Sequence, residues 1–329
     1  MILISTSSGW NYGDDVIREG VTRLLGIPLT HPTAWINRCE MNTSAGERKH
    51  QWQVQANFSI ETAVSSATAI VEAGTPGWAQ NLDPVYALAA SRKIPVFVVG
   101  VSGGRRDAIR KVVGQVRAAT ARDPEALKFL RSVGLEAKQF LDPAIHAAWP
   151  TTETKNLVIL NYRARGGNGR HSGEDDAVYR TIYARHRDII DCVTVHEVTE
   201  VSFARKLFPD TPVVFCADYT GFKALYASCR LYIGGRIHGA LSVVANGGQA
   251  HLMYRAPKKI VVEIVRDACR EALGWSPVQT SAVTSDFKLD TPDIDGVALR
   301  EFFQADFLQH KQLLLRNSAP WLTKKPLGE

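Results

Sequence analysis

Residues 231–246 read LYIGGRIHGALSVVAN. The apolar triplet Leu231–Ile233 has the composition of a strand end buried on both faces, and 240–245 is a small-residue helix stopped by Asn246, Gly247 and Gly248. Gly234 to His238 therefore fall in a strand-to-helix turn, the joint from which open α/β folds are built. At such a turn the first amides of the helix lack intrahelical partners and carry the positive end of its dipole, and Gly234 and Gly235 let a ligand approach the backbone closely. Arg236 adds a permanent planar cation, and His238 a group that exchanges a proton near neutral pH. The stretch predicts an anion site with an acid/base beside it. The competing reading is structural: an arginine in such a turn can pair with a neighbouring carboxylate.

The same alternation extends in both directions. Met1 to Ser5 is a short apolar strand, followed by a polar loop to Gly13 and a helix capped by Asp14 or Asp15, with Ile17, Val21, Leu24 and Leu25 at helical spacing. Further strands are expected over 67–71, 94–99 and 137–141, with a turn at Glu72-Ala73-Gly74-Thr75 and helices over 84–92 and 124–133. AAWPTTETK, near 147–155, marks a boundary. Beyond it come strands at 157–160, 189–195, 213–216 and 250–254, helices at 177–187, 201–207 and 221–228, and a long helix at 297–315. The loop 162–176, rich in Arg, Gly and His, is expected to be exposed. Continuous apolar strands alternating with helices imply parallel sheets covered on both faces. The expected organisation is an α/β domain over 1–150, a second over 151–295, the two facing a cleft, then a terminal helix at 296–317 and a loose tail at 318–329.

A chain of 329 residues exceeds one ordinary core. Its formal net charge of +6 favours anionic partners such as phosphorylated metabolites or anionic headgroups. The basic residues are spread out, without zinc-finger spacing or a basic helix with interleaved aromatics, which argues against nucleic acid. The five cysteines (39, 192, 216, 229 and 269) never stand as CxxC and several lie in apolar runs, as expected of reduced core thiols in a cytoplasmic protein. No apolar stretch approaches the roughly 18 residues of a membrane span, and the start MILISTSSGWN lacks the parts of a signal peptide. A cytoplasmic location follows, compatible with peripheral attachment to the inner face of a membrane.

Ligands of open α/β sheets bind at the carboxyl ends of the strands. In the first half that selects Asn11, Gly13 and Asp14, where Asp14 either orients or deprotonates a sugar hydroxyl or serves only as a helix cap. In the second half it selects Arg163, Arg165, His196, Arg236 and His238. Arg163 and Arg165 suit bidentate binding of carboxylate or phosphate, or else belong to a solvated loop. His196 is either a ligand contact or a histidine satisfied by Glu197. The nine histidines show no HxH or HExxH spacing, so no metal site is expected, and GxGxxG and GxSxG are absent.

The segment GFKALYASCRLYIGGRIHGALSVVANGG, with YRAPKK just after it, resembles the polysaccharide pyruvyl transferase family, in which a strand ends in an Arg-Leu-His motif opening a helix. GWNYGDDVIREG resembles that family's Asn-x-Gly-Asp opening, and ARDPEALKFLRSVGL followed by LDPAIH resembles its mid-chain Arg-Asp and Asp-Pro elements. The resemblance implies two Rossmann-like domains similar to the glycosyltransferase B fold, and transfer of a pyruvyl ketal from phosphoenolpyruvate to a sugar of a surface polysaccharide or its lipid-linked precursor, without metal or redox cofactor. On this chain Arg236 would hold the donor's phosphate or carboxylate, with the Gly235 backbone beside it, and His238 would be the acid/base. Arg163 or Arg165 would be a second anion contact, while Asn11 and Asp14 would face the acceptor. Ile237 stands for the usual Leu, and Glu72-Ala73-Gly74-Thr75 replaces a run of glycines. Two other readings fit the same features: a nucleotide-sugar glycosyltransferase, and a non-enzymatic sensor of a phosphorylated metabolite.

Overall fold

A computed structural model describes residues 1–6, 12–28, 31, 33–42, 48–54, 59–74, 82–103, 107–150, 155–163, 173–253, 259–281 and 294–322. Contacts divide the chain into two units, one of Met1–Ala148 with Ala305–Glu329 and one of Trp149–Gln304.

The first unit is built on β1 (Ile2–Thr6), α1 (Tyr12–Leu24), β2 (Thr33–Asn42), β3 (Arg48–Val54), α2 (Ile60–Ser65), β4 (Ala69–Ala73), α3 (Asp83–Arg92), β5 (Val96–Val101), β6 (Val116–Ala121), α4 (Pro124–Ser132) and β7 (Ala137–Gln139). Its sheet has the order β3-β2-β1-β4-β5-β6-β7. The pairs are parallel except β2 with β3. Every residue of β4 and β5 is buried, as the near-continuous apolar runs AIVEA and VFVVGV require of strands covered on both faces.

The second unit comprises β8 (Leu157–Asn161), α5 (Gly173–His186), β9 (Cys192–Thr194), α6 (Val201–Leu207), β10 (Val213–Val214), α7 (Tyr219–Ala227), β11 (Cys229–Gly234), α8 (Ile237–Ala245), β12 (Gln249–Met253), α9 (Lys259–Leu273) and β13 (Val278–Ser281). Its all-parallel sheet runs β10-β9-β8-β11-β12-β13. Numbered within the unit this is the doubly wound order 3-2-1-4-5-6, whose direction of winding reverses between β8 and β11. The terminal helix α10 (Gly296–Leu322) belongs to the second unit through Gln304 and to the first from Ala305 onward.

Several sequence expectations shift. The strand expected over 67–71 runs over Ala69–Ala73, so Glu72 and Ala73 lie inside β4 and not in a turn. Glu72 is tolerated there because the buried Tyr86 hydroxyl donates a hydrogen bond to its carboxylate. The turn follows at Gly74, whose φ of +58° suits glycine and whose missing Cβ leaves room for Ile17. Helix α1 begins at Tyr12, so Asp14 and Asp15 sit in its first turn and are not its caps. Of the expected loop 162–176, Tyr162 is fully buried and α5 begins at Gly173, while 164–172 lie outside the described residues. Strands β2, β3, β6 and β13 and helices α2 and α9 were not expected. The thiols of Cys192, Cys229 and Cys269 are buried and free.

Candidate functional site at the β8–β11 switch point

Two strands carry the centre of the site to the reversal point of the second sheet. Asn161 closes β8 and is paired in register with Gly234, which closes β11. A Cβ on Gly234 would stand 2.7 Å from the Asn161 Cβ, so only glycine permits the two strand ends to come together. Gly235 follows, facing the Met253 carbonyl and the Tyr179 hydroxyl. Arg236 is the extended residue before α8, and His238 lies in its first turn. Arg236 caps α8 without a side-chain hydrogen bond, and the first ladder bond is from the Ala240 amide to the Arg236 carbonyl. The amides ahead of it lie at the positive end of the helix dipole, the place where α/β folds bind anions. Gly239 packs against the Tyr232 ring, whose hydroxyl donates to the Arg236 carbonyl at 2.9 Å and fixes the turn.

The guanidinium of Arg236 is held by carboxylates. Its Nη2 donates to both oxygens of Glu200, at 2.7 and 2.8 Å, and to Glu197 at 3.3 Å. The structural alternative for this arginine is thus realised in part. Burial opposes its charge, but Glu200 and Glu197 outweigh burial and raise its pKa. Its Nε, however, is buried without a hydrogen-bond partner.

Arg163 stands two residues beyond β8 and is close enough to Arg236 for each charge to bear on the other. Burial first, and then the Arg236 guanidinium, pull its pKa down. Its Nε is also buried without a partner, as is the Oδ1 of Asn161, whose amide nitrogen is spent on the Thr194 carbonyl and hydroxyl. Two unpaired buried donors and one unpaired buried acceptor thus sit at one switch point. Buried polar atoms in folded proteins are otherwise almost always paired, because each orphan costs about 1–3 kcal/mol.

His196 lies one strand away, just past β9. It is buried, and its Nε2 is 2.5 Å from the Tyr226 hydroxyl, a partner that neither sequence reading, a ligand contact or pairing with Glu197, named. Burial, with Arg236, His238 and Arg163 adding repulsion, holds its pKa well below the ordinary histidine value, so it is a neutral hydrogen-bonding group. Arg163, His196, Gly235, Arg236 and His238 are therefore brought together. Asp14 and Gly13 lie in the first unit, buried in the first turn of α1, where Asp15 pairs with Arg18 at 2.7 Å. Asn11 and Arg165 lie outside the described residues. Sequence reasoning missed Asn161, Glu200, Tyr179 and Tyr226. Glu200 carries a local signal, since it forms a capping box with Glu197, but nothing in sequence ties it to an arginine 36 positions away.

The model of one family, polysaccharide pyruvyl transferase, matches residues 11–255 and so includes β8, β11 and the α8 turn. The chain belongs to the polysaccharide pyruvyl transferase family. No curated protein matches its sequence. Among solved structures, it is similar to the UDP-GlcNAc 2-epimerase from Neisseria meningitidis bound to UDP-GlcNAc, at 11% identity and a TM-score of 0.51, covering 98% of this chain and 96% of that one. It is likewise similar to S. aureus MnaA with UDP, at 7% identity and a TM-score of 0.52, covering 97% and 92%. These likenesses concern the fold, two Rossmann-like domains of the glycosyltransferase B type. In this pyruvyl transferase family member the Arg-Ile-His of residues 236–238 opens α8 as the resemblance implied. Among the described residues, no helix is long and apolar enough to cross a membrane.

Proposed function

We propose that the chain transfers the pyruvyl group of phosphoenolpyruvate, as a ketal, onto a sugar of a surface polysaccharide or of its lipid-linked precursor. The observation that carries this reading is Arg163, a half-buried arginine whose Nε is buried and unpaired, close to the Arg236 that precedes α8. A donor bearing both phosphate and carboxylate matches that set: helix-end amides for one group, and a planar fork for the other. Because Glu200 and Glu197 offset Arg236, that arginine acts as an oriented donor through its Nε, and Arg163, which those carboxylates offset less, supplies the second charge.

The chemistry needs one acid and no redox step. His238 delivers a proton to the methylene carbon of phosphoenolpyruvate, leaving a cationic centre at the carbon that bears the phosphate. One sugar hydroxyl adds there and gives up its proton. The C–O bond to phosphate breaks, phosphate leaves, and a second hydroxyl of the same sugar closes the ketal as its proton departs. Asp14 would orient or deprotonate the acceptor. His196, neutral and fixed by Tyr226, serves as a hydrogen-bonding contact to the donor.

A second reading, a nucleotide-sugar glycosyltransferase, rests on the fold shared with proteins whose structures hold UDP-GlcNAc or UDP. Thermal stabilisation by phosphoenolpyruvate, measured against a panel of nucleotide sugars, separates the two. A shift with phosphoenolpyruvate alone supports the pyruvyl transferase reading. A shift with a nucleotide sugar alone overturns it and makes the α8 turn that donor's phosphate site.

A further inference from the structure

We propose that His146, Asp306 and His310 form a binding site in the first unit for a divalent transition-metal ion of the zinc and cobalt class. His146 ends the tight turn Pro143–His146, and Asp306 and His310 stand four apart on one face of α10. Each offers a ligand atom, and the three atoms lie within 4.8 Å of one another. His146 Nε2 and Asp306 Oδ2 are already 2.9 Å apart. Ligands on a tetrahedral ion with bonds of about 2.1 Å stand roughly 3.4 Å apart, so loading the site takes side-chain adjustments of only about 1 Å.

The independent observation is His310 itself. It is fully buried, its Nε2 is 3.0 Å from the Thr120 hydroxyl, and its Nδ1 has no hydrogen-bond partner. One ring nitrogen anchored on a hydroxyl and the other left with an unused lone pair is the arrangement of an imidazole ligand with its outer-shell partner. Thr120 is in turn fixed by the Gly100 amide at 2.9 Å, and Phe140 stacks on the His310 ring at 4.2 Å.

The surroundings select the ion. Arg23 and Lys311 both lie over the neighbouring Phe307 ring, and Arg23 also donates to the His146 carbonyl at 2.6 Å. With two cations close by and one carboxylate in the triad, calcium and magnesium, which depend on several oxygen anions, are disfavoured. A pair of imidazoles suits zinc, cobalt or nickel. Asp306 is the most exposed of the three, with 19% of its side chain accessible, so water can complete the coordination from its side. A bound ion would tie α10 to the Pro143–His146 turn. The missing sequence signal is explained by separation: Asp306 lies 160 positions after His146.

The test uses the full-length protein stripped with a chelator and titrated with Co(II), then with Zn(II) in competition. The expected result is one equivalent bound, with the intense visible bands of a four-coordinate cobalt centre and a raised unfolding temperature. Asp306→Asn, which keeps shape, and His310→Ala should each weaken binding by more than the roughly 10–100-fold that loss of an outer-shell partner costs. Should His310→Ala fail to fold, Asp306→Asn decides alone. Absence of stoichiometric binding to the wild type overturns the proposal, as does binding that survives in Asp306→Asn. Neither result bears on the β8–β11 site, whose residues are different.

Discussion

Replacing Glu200 by Gln tests how the α8 turn is held. Glu200 is 1% exposed and takes the Arg236 guanidinium with both carboxylate oxygens, while Glu197, 42% exposed, holds it more weakly at 3.3 Å. The substitution preserves size, and the new side chain can still accept from the Glu197 amide, so the capping box survives. What is lost is the charge facing a nearly buried arginine. Breaking a buried pair by removing one partner costs about 3–5 kcal/mol. Because Glu197 remains and Arg236 keeps 12% side-chain exposure, roughly 2–4 kcal/mol is expected here. Urea unfolding of wild type, Glu200→Gln, Arg236→Gln and the double variant gives the coupling directly. A coupling below about 0.5 kcal/mol, within the usual range of exposed pairs, would refute the view that Glu200 sets the position of Arg236.

Four further outcomes are expected. His238→Ala should lose about 10²–10⁴-fold in turnover while retaining donor binding, the range for a positioned general acid; full activity in a steady-state assay would remove His238 from the mechanism. Gly234→Ala should destabilise by about 1–3 kcal/mol, since the new Cβ meets Asn161, and should also weaken donor binding; a thermal melt unchanged from wild type would contradict the packing. His251 is buried and burial pushes its pKa down to about 4, so the unfolded chain takes up the proton first as pH falls from about 6.5. Its contribution is complete above pH 6.5 and is lost toward pH 4, a change of about 3 kcal/mol at 1.36 kcal/mol per unit. His251→Gln should flatten that limb of a stability-against-pH profile, and an unaltered slope would refute the assignment. His196→Gln, which keeps a partner for Tyr226, should fold and change KM more than kcat.

The centre of the site was legible because its physics is local. Glycines, a cation and a histidine between an apolar run and a small-residue helix need no distant information, and they locate the α8 turn within a residue or two. The expected anion contact at Arg163 likewise follows from its place after an apolar strand. What escaped depends on partners far along the chain. Glu200 looks like a helix-start residue until β9 and β11 bring it to Arg236. Strand β6, VRAATA, is built of small and polar residues whose burial comes from β5 and β7 on either side, so its own composition does not declare it. Glu72 imitates a turn signal, and the Tyr86 hydroxyl is a partner for its carboxylate inside β4 that local sequence does not announce. Short histidine spacings say nothing of side chains that a mid-chain turn and the terminal helix bring together, as they do His146 and His310.

On the proposed function, this switch point binds phosphoenolpyruvate through Arg163. Calorimetric titration of phosphoenolpyruvate into wild type and Arg163→Gln tests it most directly. The account predicts saturable binding to the wild type, weakened about 10–100-fold in the variant, the equivalent of losing a charged hydrogen bond, with the unfolding midpoint preserved. Equal affinity in the two proteins, or a wild type that binds a nucleotide sugar and not phosphoenolpyruvate, would contradict it.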